Sequence, residues 1–353
     1  MKFKIFSFLT LIVGLLTSAC NPEKAANNTA NKNEYAENFE IINTEDSINL
    51  RVYYPSTQNW KNLGFSKKKL PKKIAISNTV QWAFIKELNQ GTKVRGVSGH
   101  AYFCDSTIHQ NIAKGEIIEL SNPDGLDIEQ LISSKSELLL IDGFGRQNDK
   151  LQTAAKEFGI KILPLYEWTE KHPLARLEWI KVVGEILGKK DLAQEIYHER
   201  KTEYLATKNE YKNYSKQTVM CAVPFKSDWY IPAKNSYMDI LISDAGGEVL
   251  GAKENTHVST KLNLEEAYLA FANADVWLAH GSLENSKDLA DAVPFYNQLK
   301  AVKNNQVYNY HNWKQFGNYQ FWEQGVVHPE WLLKDIAKVL HEQKNGRFYK
   351  RVL

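Results

Sequence analysis

The pattern of apolar and polar positions separates the chain into two similar parts and a different middle. From Lys72 to about residue 170, short and nearly all-apolar stretches alternate with segments of helical spacing, as in Lys72–Asn78 followed by Thr79–Gln90. The same alternation returns from Thr218 and ends in a helical segment at Pro329–Glu342. Strands that read as almost wholly apolar fit a sheet covered on both faces, so each part is predicted to contain parallel β-α-β units.

The middle of the chain, residues 171–214, shows helical spacing only. Pro173 stands where a helix is expected to begin, and Gly188 marks a break within the segment. The sequence therefore predicts an α/β protein with two Rossmann-like lobes, parallel sheets and a long helical connector. Since ligands of open α/β sheets bind beyond the carboxyl ends of the strands, two facing lobes predict a ligand cleft between them.

One unit of the pattern occurs twice, at Leu126–Gly143 and at Leu262–Gly281. Each copy has a helix N-cap, Asp127 or Asn263, then a glutamate in the first turn, a short apolar strand and a glycine. A carboxylate in that position stabilises the helix dipole by about 0.3–1 kcal/mol in any protein. Repetition is the informative feature, because it predicts one exposed carboxylate, Glu129 or Glu265, at the equivalent point of each lobe.

The first twenty residues have the features of an export signal. Lys2 and Lys4 precede the apolar stretch Ile5–Leu16, which is shorter than the ~20 residues of a membrane-spanning helix. The following LTSAC resembles the bacterial lipobox, which implies cleavage before Cys20 and acylation of its thiol. Residues 21–38 are polar and Asn-rich without periodicity, which predicts a flexible tether.

These observations together define the predicted domain bounds. They are 1–20 for a lipoprotein signal peptide, 21–38 for the tether, 39–170 for the N-terminal α/β lobe, 171–214 for the connector and 215–353 for the C-terminal α/β lobe.

Composition narrows the function classes. Charged residues make up 24% of the 353 residues, apolar residues 43%, and the net charge is +3, which favours a soluble globular protein over a nucleic-acid binder. The lysine-rich stretch Lys67–Lys73 is interpreted as a solvated loop. Beyond Cys20 only Cys104 and Cys221 remain, in different lobes, so a disulfide framework is not expected.

The order of several stretches resembles the iron-complex and cobalamin class of substrate-binding proteins of bacterial ABC importers. They are VRGVSGHAY, LDIEQL with ELLLIDGFG, ILGKKDLAQEIY, DWYIPAKNSYMDILISDAGG, LNLEEAY with ADVWLAHG, and GVVHPEWLLKDIAKVLH, and they extend from about residue 70 onward. The resemblance implies a monomer that delivers a metal chelate to ABC permease subunits. It also implies that Glu129 and Glu265 dock onto arginines of that permease.

The resemblance places the ligand site in the loops that follow the strands of both lobes. In this chain those loops carry His100, Tyr102, Phe144 and Arg146 from the first lobe, and Trp229, Tyr230, His280 and Trp313 from the second. Aromatic faces suit a large flat or apolar chelate, and Arg146 is suited to a ligand carboxylate or phosphate. Some rings of the aromatic-dense stretch Asn309–Trp322 are also expected in the cleft.

The identity of the chelate and of any metal ligand stays open at this point. Haem binders of the resembled class use Tyr or His as iron ligands, which directs attention to His100 or Tyr102, while His280 and His311 also follow strands near the cleft. Ferric siderophore, haem and cobalamin are all compatible with the aromatic surplus. No resident cofactor is expected apart from the transported chelate.

The sequence disfavours one of two rival functions and leaves the other open. GVSGH at residues 96–100 lacks the closing glycine of a serine-hydrolase elbow, and GFGRQN lacks the third glycine of a dinucleotide fingerprint, so an exported enzyme is disfavoured. A free zinc- or manganese-binding lipoprotein shares the same two-lobed plan and remains the alternative. The sequence thus predicts an exported, lipid-anchored substrate-binding protein, on the periplasmic face of the inner membrane if the source is Gram-negative.

Overall fold

The computed structural model describes residues 29–122, 125–143, 149–254 and 259–352. Within these ranges the chain forms two α/β lobes joined by a helical connector, and an additional antiparallel sheet packs on the connector. None of the helices in the described ranges combines the length and apolar character that crossing a bilayer requires.

The additional sheet is N-terminal and has four strands in the order β1-β2-β3-β4. They are Thr29–Asn31, Phe39–Asn43, Ser47–Tyr54 and Asn59–Ser66. Strand β3 alternates strictly between half-buried and buried positions, as expected for a strand with one face on a core. The buried face of this sheet packs against connector residues such as Trp179 and Ile186.

The first lobe contains a five-stranded parallel sheet in the order β11-β10-β5-β6-β7. The strands of the lobe are β5 Ile74–Ile76, β6 Val94–Val97, β7 Ile118–Glu119, the small hairpin β8 Ser121–Asn122 and β9 Gly125–Leu126, β10 Leu138–Ile141 and β11 Lys161–Pro164. Its helices are α1 Thr79–Glu87, α2 Ser106–Ala113, α3 Ile128–Ser133 and α4 Asp149–Glu157, with short 3-10 turns at Gly91–Lys93, His100–Tyr102 and Glu167–Thr169.

The connector consists of α5 Pro173–Glu178, α6 Ile180–Leu187 and α7 Lys190–Tyr211. Pro173 occupies the first turn of α5, and Gly188 ends α6 in the left-handed conformation at φ 72°, so both predicted boundary signals are confirmed. Leu177 and Ile180 belong to the core of the first lobe, whereas Leu174 and Tyr204 belong to that of the second. The connector is therefore built into both lobes.

The second lobe contains the sheet β15-β12-β17-β18-β21, parallel except for its last strand. Its strands are β12 Gln217–Cys221, β13 Pro224–Phe225, β14 Asp228–Pro232, β15 Gly247–Val249, β16 Ser259–Asn263, β17 Val276–Leu278, β18 Val307–Asn309, β19 Lys314–Gln315, β20 Asn318–Tyr319 and β21 Lys350–Arg351. Its helices are α8 Tyr237–Asp244, α9 Leu264–Phe271, α10 Ser286–Ala292, α11 Lys300–Lys303, α12 Gln320–Gln324 and α13 Pro329–Ala337, with a 3-10 turn at Tyr296–Gln298 and a π-helical turn at Lys338–Glu342.

One sequence prediction fails at the N-terminus. The tether was expected to reach residue 38, but residues 29–31 form β1, and the segment that follows is held on the connector. Buried Glu178 accepts backbone N–H groups of Glu34, Tyr35 and Ala36, each at 2.9 Å. Glu170 likewise accepts the N–H of Asn38 at 3.0 Å. The polar composition of this segment predicts a flexible tether. In the structure, the carboxylates of Glu178 and Glu170 accept its backbone N–H groups and hold it on the connector.

Candidate functional site

A cavity of about 350 Å³ lies where the two lobes meet. The first lobe contributes Thr79, Tyr102 and Cys104 to its lining, and the second contributes Gly317, Asn318, Tyr319, Trp322 and Glu323. Its first-lobe residues follow strands β5 and β6, in agreement with the expectation that the site lies beyond the carboxyl ends of parallel strands.

The second-lobe wall is a hairpin that reaches across to the first lobe. Strands β19 and β20 are joined by Phe316 and Gly317, which both have positive φ, at 48° and 79°, as a tight two-residue hairpin turn requires. The Asn318 side chain donates to the carbonyl of Ala101 at 2.6 Å. Phe316 stacks on His109 of α2 with ring centroids 4.3 Å apart. These contacts hold the hairpin against the first lobe.

Aromatic side chains stand exposed around this cavity. Tyr102 is 73% exposed and Trp322 is 58% exposed, which is unusual for rings of this size. Trp322 is held from behind by an edge contact with Tyr310, whose ring centroid lies 5.4 Å away. Each lobe therefore contributes an exposed aromatic ring to the same cavity.

His100 is not part of the cavity lining, but it begins the 3-10 turn that ends at the lining residue Tyr102. A carboxylate orients its ring. Glu119 accepts the backbone N–H groups of Gly99 and His100, each at 2.8 Å, and contacts Nδ1 of the His100 ring. Burial raises the pKa of Glu119, but these hydrogen bonds and that of Ser121 outweigh it and lower the pKa to about 2. An ionised carboxylate that accepts the Nδ1–H fixes the orientation of the ring and, in the neutral imidazole, selects the tautomer whose lone pair lies on Nε2.

The remaining predicted ligand residues do not gather at the cavity. His280 shares a hydrogen bond of 2.6 Å with the hydroxyl of Tyr349, and burial, with a contribution from His311, lowers its pKa to about 4. Trp313 is half-buried against the second core beside Arg347. Tyr230 is 43% exposed on strand β14 but is not part of the cavity lining. Phe144 and Arg146 lie outside the described residues.

The prediction for Trp229 is wrong. This side chain is fully buried, stacks near Phe271 in the second core, and donates its indole N–H to the carbonyl of Cys221 at 2.7 Å. It follows a predicted strand, as a ligand-contacting residue would. In the structure, however, it belongs to β14, where alternate residues point into the core.

Residues that the sequence did not single out form most of the cavity. Trp322 and Tyr319 fall within the aromatic-dense stretch from which some rings were expected, so composition gave a signal for them. The sequence gave no signal for Glu323 or Glu119, because an isolated glutamate is usually a surface residue. Their roles depend on contacts with residues distant in the chain.

Cys104 and Glu323 form a buried contact between the lobes. Glu323 Oε2 accepts the backbone N–H of Cys104 at 2.9 Å. Burial raises the pKa of the Cys104 thiol to about 12, helped by Glu323 and Asp105, so the thiol is neutral and a poor nucleophile. Both remaining cysteines, Cys104 and Cys221, are free and buried.

The acidic residues of the duplicated unit are exposed. Glu129 lies in the first turn of α3, whose N-cap Asp127 accepts from Gln130 N, and Glu265 lies in the first turn of α9. Asn263 and Glu266 form the capping box of α9, so the side chain of Glu265 takes no part in capping this helix. Both N-cap predictions are confirmed, and the docking role stays a prediction.

Two further cavities, of about 310 and 440 Å³, flank the connector. Their walls are mainly lysine, glutamate and aliphatic side chains such as Lys190, Glu185 and Leu192. Across the parts of the chain that are described, three or more His, Cys, Asp or Glu side chains are nowhere grouped so as to hold a metal ion. Of these three cavities in the described part of the chain, the cavity between the lobes is lined by exposed aromatic rings.

Comparison with known proteins agrees with this architecture. A model of the family described as periplasmic binding protein matches residues 74–312, more than half of the chain. An uncharacterized lipoprotein of Methanocaldococcus jannaschii is 25% identical over 282 residues, which is 77% of this chain and 65% of the lipoprotein's own length. The chain therefore spans just under two thirds of that curated relative.

Two solved structures share the fold. A periplasmic binding protein from Veillonella parvula superposes with a TM-score of 0.63 at 13% identity, covering 84% of this chain and 98% of that one. A periplasmic haem-binding protein of Vibrio cholerae gives a TM-score of 0.61 at 15% identity, covering 76% and 99%. The family model and both solved structures are described as binding proteins, and the two structures confirm the predicted two-lobed fold. This chain belongs to the periplasmic binding protein family.

Proposed function

We propose that this protein is the substrate-binding component of an ABC importer and captures an iron chelate in the cavity between its lobes. The observation that carries the proposal is the pair of exposed aromatic faces, Tyr102 and Trp322, contributed by opposite lobes to one cavity. Cavities of about 300–1,000 Å³ with aromatic walls are typical of small-molecule sites. The Vibrio cholerae relative in fold is named as haem-binding, which is consistent with this ligand class.

His100 is the proposed metal-facing side chain. Its Nδ1 contacts Glu119, and its ring is 40% exposed, so Nε2 is available to an incoming ligand. Histidines that ligate metals commonly carry a carboxylate on the other ring nitrogen, which orients the ring and raises its basicity. Tyr102, two residues along, is the second candidate because its hydroxyl has no hydrogen bond among the described residues.

Export and lipid anchoring complete the proposal. Cys20, the proposed acylation site, lies outside the described residues. The curated relative from Methanocaldococcus jannaschii is named a lipoprotein, which supports an anchor here. Since each buried methylene contributes about 0.8 kcal/mol, two or more acyl chains suffice for stable attachment.

The proposal is tested by titrating the purified full chain in detergent with a ferric trihydroxamate, haem and cobalamin while recording visible spectra. We expect saturable one-to-one binding of at least one chelate, and a changed metal absorption band in His100→Ala if the imidazole ligates the metal. His198→Ala, on the exposed face of α7, is the matched control. Binding of Zn²⁺ alone, with none of the chelates bound, would contradict the proposal.

A further inference from the structure

The floor of the cavity between the lobes contains a carboxylate with unused hydrogen-bonding capacity. Glu323 is only 1% exposed and lines the cavity. Its Oε2 accepts from the backbone of Cys104, whereas its Oε1 has no hydrogen-bond partner in the described structure. A buried carboxylate oxygen without a partner costs stability, so its position calls for a ligand group that satisfies it.

The cations near Glu323 are already engaged. Lys86, whose charge acts on Glu323, pairs with Asp105 at 2.6 Å. Lys314, which lies over the Tyr319 ring at the cavity wall, pairs with Glu284 at 3.2 Å. No Lys, Arg or His nitrogen of the described ranges lies within ion-pair distance of Glu323. If Glu323 is ionised, the floor of the cavity therefore carries an unbalanced negative charge.

The walls above this carboxylate suit a cation. Tyr102 and Trp322 expose their rings at this cavity, and aromatic faces attract ammonium groups through the ring quadrupole. Tyr319 also lines the cavity, but its ring already stacks on His311 and lies under the Lys314 ammonium. Burial, reinforced by Asp105, raises the pKa of Glu323 to about 7, against the opposing effects of the Cys104 hydrogen bond, the Lys86 charge and the Gln324 side chain. A bound cation favours the ionised carboxylate, so the ligand and the charge stabilise each other.

We propose that the cavity selects chelates that carry a positively charged amine, with the ammonium directed at Glu323 and contacted by the rings of Tyr102 and Trp322. This inference rests on the proposed function and narrows its ligand class. A chelate whose periphery carries only carboxylates, as haem does, presents the wrong charge to Glu323 and is disfavoured.

The test compares two probes that differ by one charge. Ferrioxamine B, a ferric trihydroxamate with a terminal ammonium, and its N-acetylated derivative have the same iron centre. We expect the full chain at pH 8 to bind the ammonium form about tenfold to a hundredfold more tightly, the range of a charge-assisted hydrogen bond. Tryptophan fluorescence quenching provides the dissociation constants.

Two variants locate the effect. Glu323→Gln keeps an acceptor for Cys104 N–H but removes the charge, so the preference for the ammonium form over the acetylated form should vanish. Glu195→Gln, at an exposed carboxylate of α7 that is not part of the cavity lining, should keep the preference. Circular dichroism confirms that both variants are folded.

The outcomes separate the two proposals. Equal affinity for both probes in the parent chain, or a preference that survives in Glu323→Gln, overturns the selection of a cationic chelate and leaves the proposed function intact. Tight binding of haem with no binding of either trihydroxamate likewise overturns the selection of a cationic chelate and leaves the proposed function intact. Failure of the trihydroxamates, haem and cobalamin alike overturns the proposed function itself.

Discussion

At the residue scale, Glu323 links protonation to stability. Its pKa in the folded protein is about 7, against 4.5 for a free glutamate. Between these values the folded protein retains a proton that the unfolded chain has released, so Glu323 reduces stability as pH rises through this window. Glu323→Gln removes that dependence. We expect the variant to gain about 2–3 kcal/mol relative to the parent between pH 5 and pH 8.

Urea unfolding at both pH values measures this difference. Glu167, whose pKa burial also raises to about 7, is present in both proteins, so its contribution cancels. A stability difference between the variant and the parent that does not change with pH would contradict the raised pKa of Glu323.

Trp229 tests the assignment of a predicted ligand residue to the core. Trp229→Phe removes the indole N–H that Cys221 accepts and leaves space among Phe271 and Phe295. We expect a loss of about 1–3 kcal/mol in the free energy of unfolding, with chelate affinity unchanged within twofold. Unchanged stability together with a tenfold loss of chelate affinity would contradict the core assignment and indicate that Trp229 contacts the ligand.

The case of Trp229 also shows what single residues reveal in sequence. The stretch DWYIP alternates, with Trp229 and Ile231 buried and Tyr230 exposed. Alternation indicated that one set faces a core, but which set does so depends on β16, thirty residues along, which pairs with β14. The caps Asp127 and Asn263 were predictable because their partners are local.

At the element scale, the glycines that end the two copies of the duplicated unit have a steric reason. A Cβ on Gly143 would collide with the ring of Tyr166, and a Cβ on Gly281 with Val223. Gly143 also has φ 69°, in the left-handed region. Gly115 has φ 72° with open space around it, so it isolates the conformational cost from the collision.

We expect Gly143→Ala to destabilise the protein by about 1–3 kcal/mol more than Gly115→Ala does, because only the former displaces a buried ring. Thermal unfolding of both variants provides the comparison. Equal losses would indicate that the strand end moves freely and that the collision is relieved at no cost.

The N-terminal segment, residues 32–38, is held by helix α5 of the connector, and no sequence pattern predicted this contact. Glu178→Gln replaces a charged acceptor of three backbone N–H groups, at residues 34–36, by a neutral one. We expect hydrogen exchange at residues 32–38 to accelerate at least tenfold, with a stability loss of about 1.5–3 kcal/mol. Glu195→Gln, exposed on α7, is the control and should leave exchange unchanged.

Local patterns predicted most helices and the parallel strands, because helical periodicity and apolar runs depend on neighbouring residues. They did not predict that β1 to β4 form one sheet on the connector. That sheet requires Phe39 and Leu50 to pack against Trp179 and Val183, more than a hundred residues away. Long-range pairing, not propensity, decides such elements.

At the scale of the whole molecule, the exposed positions of Glu129 and Glu265 are compatible with docking to a permease. Reversing both charges, Glu129→Lys with Glu265→Lys, is expected to abolish uptake in a reconstituted importer while chelate affinity stays unchanged, because rim charges steer and orient a partner. Glu266→Lys should instead lower stability through its capping box. Loss of chelate affinity in the double variant would contradict the docking role.

The central claim is that the chelate binds between the aromatic faces of the two lobes. Equilibrium titration of the double variant Tyr102→Ala with Trp322→Ala tests it most directly. Phe158→Ala plus Tyr214→Ala is the control, because it removes two other rings that are more than half exposed. The account predicts that the cavity variant loses affinity for the bound chelate by about tenfold or more, while the control keeps it. Parent-like affinity in the cavity variant would contradict it.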